Sequence, residues 1–433
     1  MPTVADTPLA DQRTWTQRIW AGGLLLWGLA FLLAWSASSH RLEEVLDHQS
    51  DQWGYYHYLP ALLGTHEWHQ LPWTVDLGNG NRLSVFSLGV AWMQAPFFLL
   101  GAAAAWLTGQ PVDGYSLPFV FAQFAAAAFY LSLGCVLLAL VLRRLHDGRT
   151  ATLVPLLLFG ATNLYFYSTY DTGMSHVYAF FLLAAMVHLT VRMNERPSGV
   201  TLALLMAVCG LLVLVRQLNA VALLFPLLYG KPVREALKDR LSWVRQHPAA
   251  TTVGAIAVIL FWLPQLLYWK HVTGQWLVFT YGKKGEGFDW LHPHLLDVLA
   301  SHQNGWFIYT PLMLGVMAVL VWHAWKGTAG ARLILVIWAL VWYTYASWWC
   351  WWLGGSFGHR GFIEYYALLA LPLAWGLQAL FQRPRWMHEV VFVGVALLVF
   401  LNVRMSRIYQ WPWEGPDWTW TKLAENYLRA LLG

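Results

Sequence analysis

Charge is scarce in this chain of 433 residues: Asp, Glu, Lys and Arg make up 11% of it, against roughly a quarter in soluble globular domains. That scarcity excludes an ordinary cytosolic enzyme. A 58% hydrophobic content excludes a disordered or collagen-like chain. Cysteine is nearly missing as well. Cys135, Cys209 and Cys350 provide neither a disulfide framework nor a metal-ligand spacing. Nucleotide-binding signatures are missing too, with no Walker-type run and no Gly-x-Gly-x-x-Gly after a strand. A net charge of +5, from 27 basic and 22 acidic residues, is small and dispersed, so no nucleic-acid partner is expected. What the chain has is long apolar runs, a mean hydropathy of +0.46 and 29 Trp. These define a polytopic helical membrane protein with aromatic belts at its interfaces.

A helix needs roughly 20 apolar residues to cross the bilayer core. Clear segments are 20–36, 117–142, 151–168, 175–191, 251–269, 306–325, 333–349, 362–381 and 390–403. Ala34-Trp35-Ser36-Ala37 loosely resembles a cleavage site, but a first span is needed to fix the sidedness of the rest. Segments 85–107 and 201–229 are ambiguous. If both are single spans, the basic loops 143–149 and 192–196 fall outside, against the positive-inside bias. If 85–107 lies in the outer interface and 201–229 is a hairpin of two short helices, every short basic loop falls inside. Sixteen of the 27 Lys and Arg are then internal. The hairpin also moves Arg216 from mid-membrane, where it would cost at least ~2.5 kcal/mol, to an outer tip. The expected fold is an all-α transmembrane bundle of about 11 spans, one integral membrane domain over 1–433, with its N-terminus inside and C-terminus outside. Residues 37–116 form an outer loop with juxtamembrane helices, 231–247 a basic amphipathic helix on the inner surface, and 270–305 a second outer loop.

With that topology 15 of the 22 acids and 11 of the 16 His fall outside. Asp51 opens an aromatic run through Tyr55 and His57. It either caps the helix that follows or acts as a general base beside aromatic faces suited to a sugar. Asp171 and His176 flank Thr172-Gly173. They either share a divalent cation with Asp51 or belong to a turn in which Ser175 caps the next helix. Arg216 either snorkels or grips a phosphate bidentately. In 351–360 the glycines free backbone N–H groups for an anion, and His359 and Arg360 add donors, with Glu364 one turn on. The pairs Trp348-Trp349 and Trp351-Trp352 either stack on a sugar or form interfacial belt. The segment 281–294, carrying Lys283, is either a solvated loop or a cover that orders over a lipid headgroup.

Together these residues resemble the GT-C superfamily of polytopic glycosyltransferases, and in particular its protein O-mannosyltransferase and lipid A aminoarabinose transferase branch. The resemblance implies a polyprenyl-phosphate-linked donor used on the outer face. It implies Asp51 as general base, juxtamembrane helices at 55–63 and 85–107, and anion binding by Arg216, His359 and Arg360. The place of the family's second acidic loop holds Asp171 and His176, implying a divalent cation such as Mg or Mn. Asp51-Gln52 stands where many members have Asp-Glu, no Asp-x-Asp occurs in the second loop, and Gln217 stands where Pro is usual.

The expected function is an inverting glycosyltransferase in a bacterial-type inner membrane, with its active site facing the periplasm. It would move a sugar from a polyprenyl-phosphate donor to a lipid, glycan or protein acceptor. Tyr55, His57, Arg216, Lys283, His359, Arg360 and Glu364 are the expected substrate-binding residues. The competing readings are a transporter or flippase of a lipid-linked glycan, which needs polar residues through the membrane depth, and a non-catalytic scaffold in envelope polysaccharide assembly.

Overall fold

A computed structural model describes residues 9–39, 51–64, 73–78, 80–410 and 412–433. The described chain is overwhelmingly helical. Six helices are long and apolar enough to cross a membrane: Thr14–Ser39, Gly89–Thr108, Leu117–Leu145, Ser175–Glu195, Pro248–Thr273 and Arg385–Ile408. Shorter apolar helices complete the bundle: Gly148–Gly160, Gly199–Val215, Gln217–Leu228, Leu312–Trp325, Ala331–Ala346 and Tyr366–Phe381. One small antiparallel hairpin, Thr74–Asp76 with Arg82–Ser84, departs from the all-α expectation. A terminal amphipathic helix, Trp420–Leu432, was not read from the sequence.

The basic turns gather at one end of the bundle. Arg144 pairs with Glu195, and Arg143 lies over the Trp15 ring. Arg149 sits over Phe381, and His146 Nδ1 is 2.9 Å from Gln378 Oε1. Arg240 donates to the carbonyls of Pro226 and Tyr229 and to Asn194 Oδ1. The helix Val233–Gln246 that carries Arg240 is basic and amphipathic, with Val233, Leu237, Leu241 and Val244 exposed along one face. That face has the spacing of a helix lying in an interface.

The chain doubles back at Arg216. The backbone there is extended (φ −151°, ψ 121°), breaking helix Gly199–Val215 from the 3₁₀ turn Gln217–Leu223. Arg216 reaches His176 at the start of helix Ser175–Glu195. Tyr229, at the far end of the return segment, lies with Asn194 near that helix's other end. The up-going arm packs closely on Pro248–Thr273 because its contact positions are small. A Cβ on Gly254 would lie 2.9 Å from Met206, and one on Gly210 2.7 Å from Val258. Trp262 donates to the Gly210 carbonyl at 2.9 Å across the same seam. Close backbone approach through small residues is the main source of helix adhesion where no water is expelled.

Helix Gly89–Thr108 is long enough to cross, yet it lies beside only half of Leu117–Leu145. The Tyr130 hydroxyl donates to the Met93 carbonyl at 2.8 Å, and Phe98 packs on Phe119 with ring centroids 5.0 Å apart. At its start, Gly89 is so close to Leu214 and Val215 that a Cβ would collide with their backbone. Both ends of this helix therefore lie in the half of the bundle away from the basic turns.

Candidate functional site

The end opposite the basic turns is stitched together by polar contacts. The Ser87 hydroxyl donates to the Leu214 carbonyl (2.6 Å), and the Leu88 N–H donates to Gln265 Oε1 (2.7 Å). The Thr280 hydroxyl donates to the Val85 carbonyl (2.7 Å). The second loop is built onto the next helices rather than left free. Asp289 N–H donates to the Ser347 carbonyl (2.7 Å), Trp349 N–H to the Gly287 carbonyl (3.0 Å) and His294 N–H to the Ala346 carbonyl (2.7 Å). These joints bring five parts of the chain, 85–88, 214, 265, 280–294 and 346–349, to one end of the bundle.

Asp51 begins helix Asp51–Tyr56. That helix docks on the 171–175 turn. Gln52 Oε1 accepts the Gly173 N–H at 3.2 Å, and a Cβ on Gly173 would press to 2.6 Å from Gln52. The Ser175 hydroxyl lies 3.3 Å from that of Tyr55, whose ring packs on Phe86. Asp51 Oδ2 accepts from Arg360 at 3.1 Å, and the Asp51 side chain remains 46% exposed. An ion-paired carboxylate therefore stands open to solvent at the rim of the site. Behind Arg360, Gly361 has no Cβ, and the Tyr345 ring occupies that space.

A second cationic centre lies beneath. Glu364, completely buried, sits 3.5 Å from Arg216 Nε and 3.0 Å from His176 Nδ1. Arg216 donates to the Tyr345 hydroxyl at 3.0 Å, and its other terminal nitrogen is 3.1–3.2 Å from the His176 ring nitrogens. Tyr281 is partly buried, packs edge-on against Phe86 and Trp348, and lies within electrostatic reach of Tyr55, Asp51, Arg216 and Arg360. Burial pushes its phenol well above the usual range, so it stays protonated and able to donate. His359 is also buried. Burial, with Arg216 and Arg360 adding to it, holds the imidazole down to about 3, although its Nε2 contacts the Trp351 carbonyl at 3.1 Å. His359 is thus neutral at working pH.

Of the residues singled out in the sequence, the structure gathers Asp51, Tyr55, Arg216, Arg360, Glu364 and His176 into this cluster, with His359 against Tyr345. His57 is placed elsewhere: its ring lies between Tyr58 and Trp73, with Nδ1 2.6 Å from the Gly54 carbonyl. Lys283 is exposed on the turn Tyr281–Lys284, and Tyr281 is the side chain of that turn that enters the site. Asp171 lies within the field of Arg360, while His176 faces Glu364 and Arg216. The carboxylates and imidazole expected to share a cation thus each face a guanidinium. Among the described residues no three His, Cys, Asp or Glu side chains are grouped to hold a metal ion.

Tyr345 was not singled out from sequence, and Tyr281 only as the start of the segment 281–294. Both sit in aromatic-rich stretches where a belt residue and a site residue look alike. Comparison of the chain with protein-family models, with curated proteins and with solved structures returned no match.

Proposed function

We propose that this protein is a membrane glycosyltransferase of the GT-C type, transferring a sugar from a polyprenyl-phosphate carrier at the outer membrane surface. In this reading eleven helical segments traverse the bilayer, the basic turns face the cytoplasm and the polar cluster faces the periplasm. Helix Gly89–Thr108 stays in the outer half. The observation that carries the proposal is a half-exposed carboxylate, Asp51, paired with Arg360 at 3.1 Å, with a second guanidinium, Arg216, held by the buried Glu364 on the other side of Tyr55. Sugar transfer from a lipid phosphate needs one base and a fixed positive field at the leaving group.

The acceptor hydroxyl oxygen attacks the anomeric carbon, and the bond from that carbon to the phosphate oxygen breaks. Asp51 takes the hydroxyl proton, and the polyprenyl phosphate leaves with the bonding pair. Arg216 and Arg360 stabilise the charge that develops on it. Glu364, Tyr345 and His176 hold the Arg216 fork in place before the donor arrives, so little reorganisation is needed at transfer. The partly buried phenol of Tyr281 supplies a neutral donor alongside. The acceptor is a lipid or glycan, or a protein side chain, reaching the site from the same leaflet.

The test is a transfer assay in liposomes, offering labelled polyprenyl-phosphate sugars and an envelope lipid extract, with and without chelator. Wild type should move label, and Asp51→Asn should lose at least about a hundredfold in turnover, the usual share of a general base, with folding unchanged. Normal transfer by Asp51→Asn would remove the base assignment. Donor binding without any new glycosidic bond would move the weight to a flippase. The chelator arm tests the divalent cation, through which no step here is routed.

A further inference from the structure

A second basic site lies away from the cluster just described. Helix Arg385–Ile408 and the terminal helix Trp420–Leu432 enclose a cleft of about 270 Å³ lined by Arg404, Arg407, Ile408, Gln410, Arg429 and Gly433. Three guanidiniums line it against one negative group, the carboxylate of Gly433, and no Asp or Glu side chain does. Arg404 is held in place by its Nε, which donates to the Ala430 carbonyl at 3.3 Å, leaving its terminal nitrogens free to point elsewhere. Arg407 and Arg429 are exposed. The excess of positive charge in the cleft favours an anion with several oxygens.

The location narrows the ligand. Asn402, one half-turn before Arg404, donates to the Gly160 and Thr162 carbonyls, and Tyr409 packs on Phe166 with centroids 5.1 Å apart. Tyr409 also lies in the field of Asp171 and Arg360, so the cleft shares its end of the bundle with the candidate active site. The terminal helix buries Leu423 and Ala430 but leaves Trp420, Leu428, Leu431 and Leu432 exposed. A helix with one such apolar edge and a basic flank lies at a membrane surface.

We infer that this cleft binds the phosphate of an anionic amphiphile in the leaflet that the candidate site faces. The guanidinium forks match phosphate oxygens in geometry and charge, and the apolar edge of the helix takes the acyl chains. The inference concerns binding alone and stands whether or not sugar transfer occurs.

The experiment uses the full chain in phosphatidylcholine nanodiscs doped with phosphatidic acid, with retained lipid read by native mass spectrometry. Arg407→Gln/Arg429→Gln should bind phosphatidic acid at least about tenfold more weakly than wild type, since losing even one of its two charge-assisted contacts costs that much. Arg383→Gln/Arg385→Gln, at the opposite end, should bind as wild type does. If the first double variant fails to fold, Arg429→Gln alone, on an exposed position of the terminal helix, carries the same comparison. Equal retention by wild type and the cleft variant overturns the inference, as does an equal loss in the opposite-end variant. Inorganic phosphate at millimolar concentration should not displace the lipid. Displacement would assign the cleft to a soluble phosphate and overturn its lipid character.

Discussion

At the residue scale, the site depends on which groups stay neutral and which stay charged. His359 is completely buried, and its imidazole is held down to about 3 in the folded protein. Once that loop opens to water the ring protonates near 6.5. The opened state therefore binds more protons than the folded one between those values. Stability then falls as pH drops below 6.5, by up to ~1.4 kcal/mol per pH unit. His359→Gln keeps a donor for the Trp351 carbonyl but cannot titrate. Between pH 7 and pH 5 the variant should lose about 2 kcal/mol less stability than wild type, read as a smaller fall in melting temperature in the same detergent. Parallel falls in the two proteins would mean that His359 is already protonated, or reached by water, in the folded state. The charged side of the site was more legible. Asp51, Arg216, Arg360 and Glu364 stand out in a chain with so few charges, because an ionisable residue near a membrane costs too much to be casual. Their pairing was not legible, since Asp51 and Arg360 are 309 positions apart. Nor was the loss of His57 to an aromatic stack, because nothing in its local pattern tells a packed ring from a ligand-facing one.

At the element scale, charge placement anticipated the break at Arg216, where the apolar run 201–229 reads as continuous. The reversal at Arg216 follows from the cost of a guanidinium at mid-membrane and from basic residues on both flanks. The return arm runs as a 3₁₀ turn and a short helix. A hydropathy window sees only continuous apolar sequence there and cannot mark the break. The same limit hid the break after Gly160 inside 151–168, where Thr162 and Asn163 interrupt the helix and Asn163 accepts from Tyr366 at 2.7 Å. The hairpin's seam with Pro248–Thr273 rests on small residues, which gives a direct test. Gly254→Val puts methyl groups against Met206 and the Ala203 backbone. It should destabilise the protein by about 1–3 kcal/mol, the cost of overpacking a closed contact. Gly394→Val, on a helix position with nothing within 4 Å, should melt at or above the wild-type temperature. Equal behaviour of the two variants would mean that the seam is loose enough to absorb a side chain.

At the scale of the whole molecule, the proposed function requires that the two ends of the bundle face different compartments. The basic turns are tied to one another by Arg144 with Glu195, Arg149 over Phe381, and Arg240 on the Tyr229 carbonyl. They must therefore lie on one side together. The polar cluster is at the other end of the helices that leave those turns, so a periplasmic active site and cytoplasmic basic turns stand or fall as one. Helix Gly89–Thr108 is where the two criteria disagree, since its length permits a crossing and its packing keeps both ends on the site side. A Cys-free background with single cysteines decides both points. In intact cells a membrane-impermeant maleimide should label His292→Cys on the second loop and Glu425→Cys on the terminal helix. Lys238→Cys and Arg385→Cys should label only after permeabilisation. Thr108→Cys, at the far end of the disputed helix, should label with the first pair. Labelling of Thr108→Cys with the second pair would make that helix a span and reverse the sidedness of one half of the chain relative to the other. Asp51 and Arg360 would then have to approach from opposite sides of the membrane, which a 3.1 Å ion pair forbids.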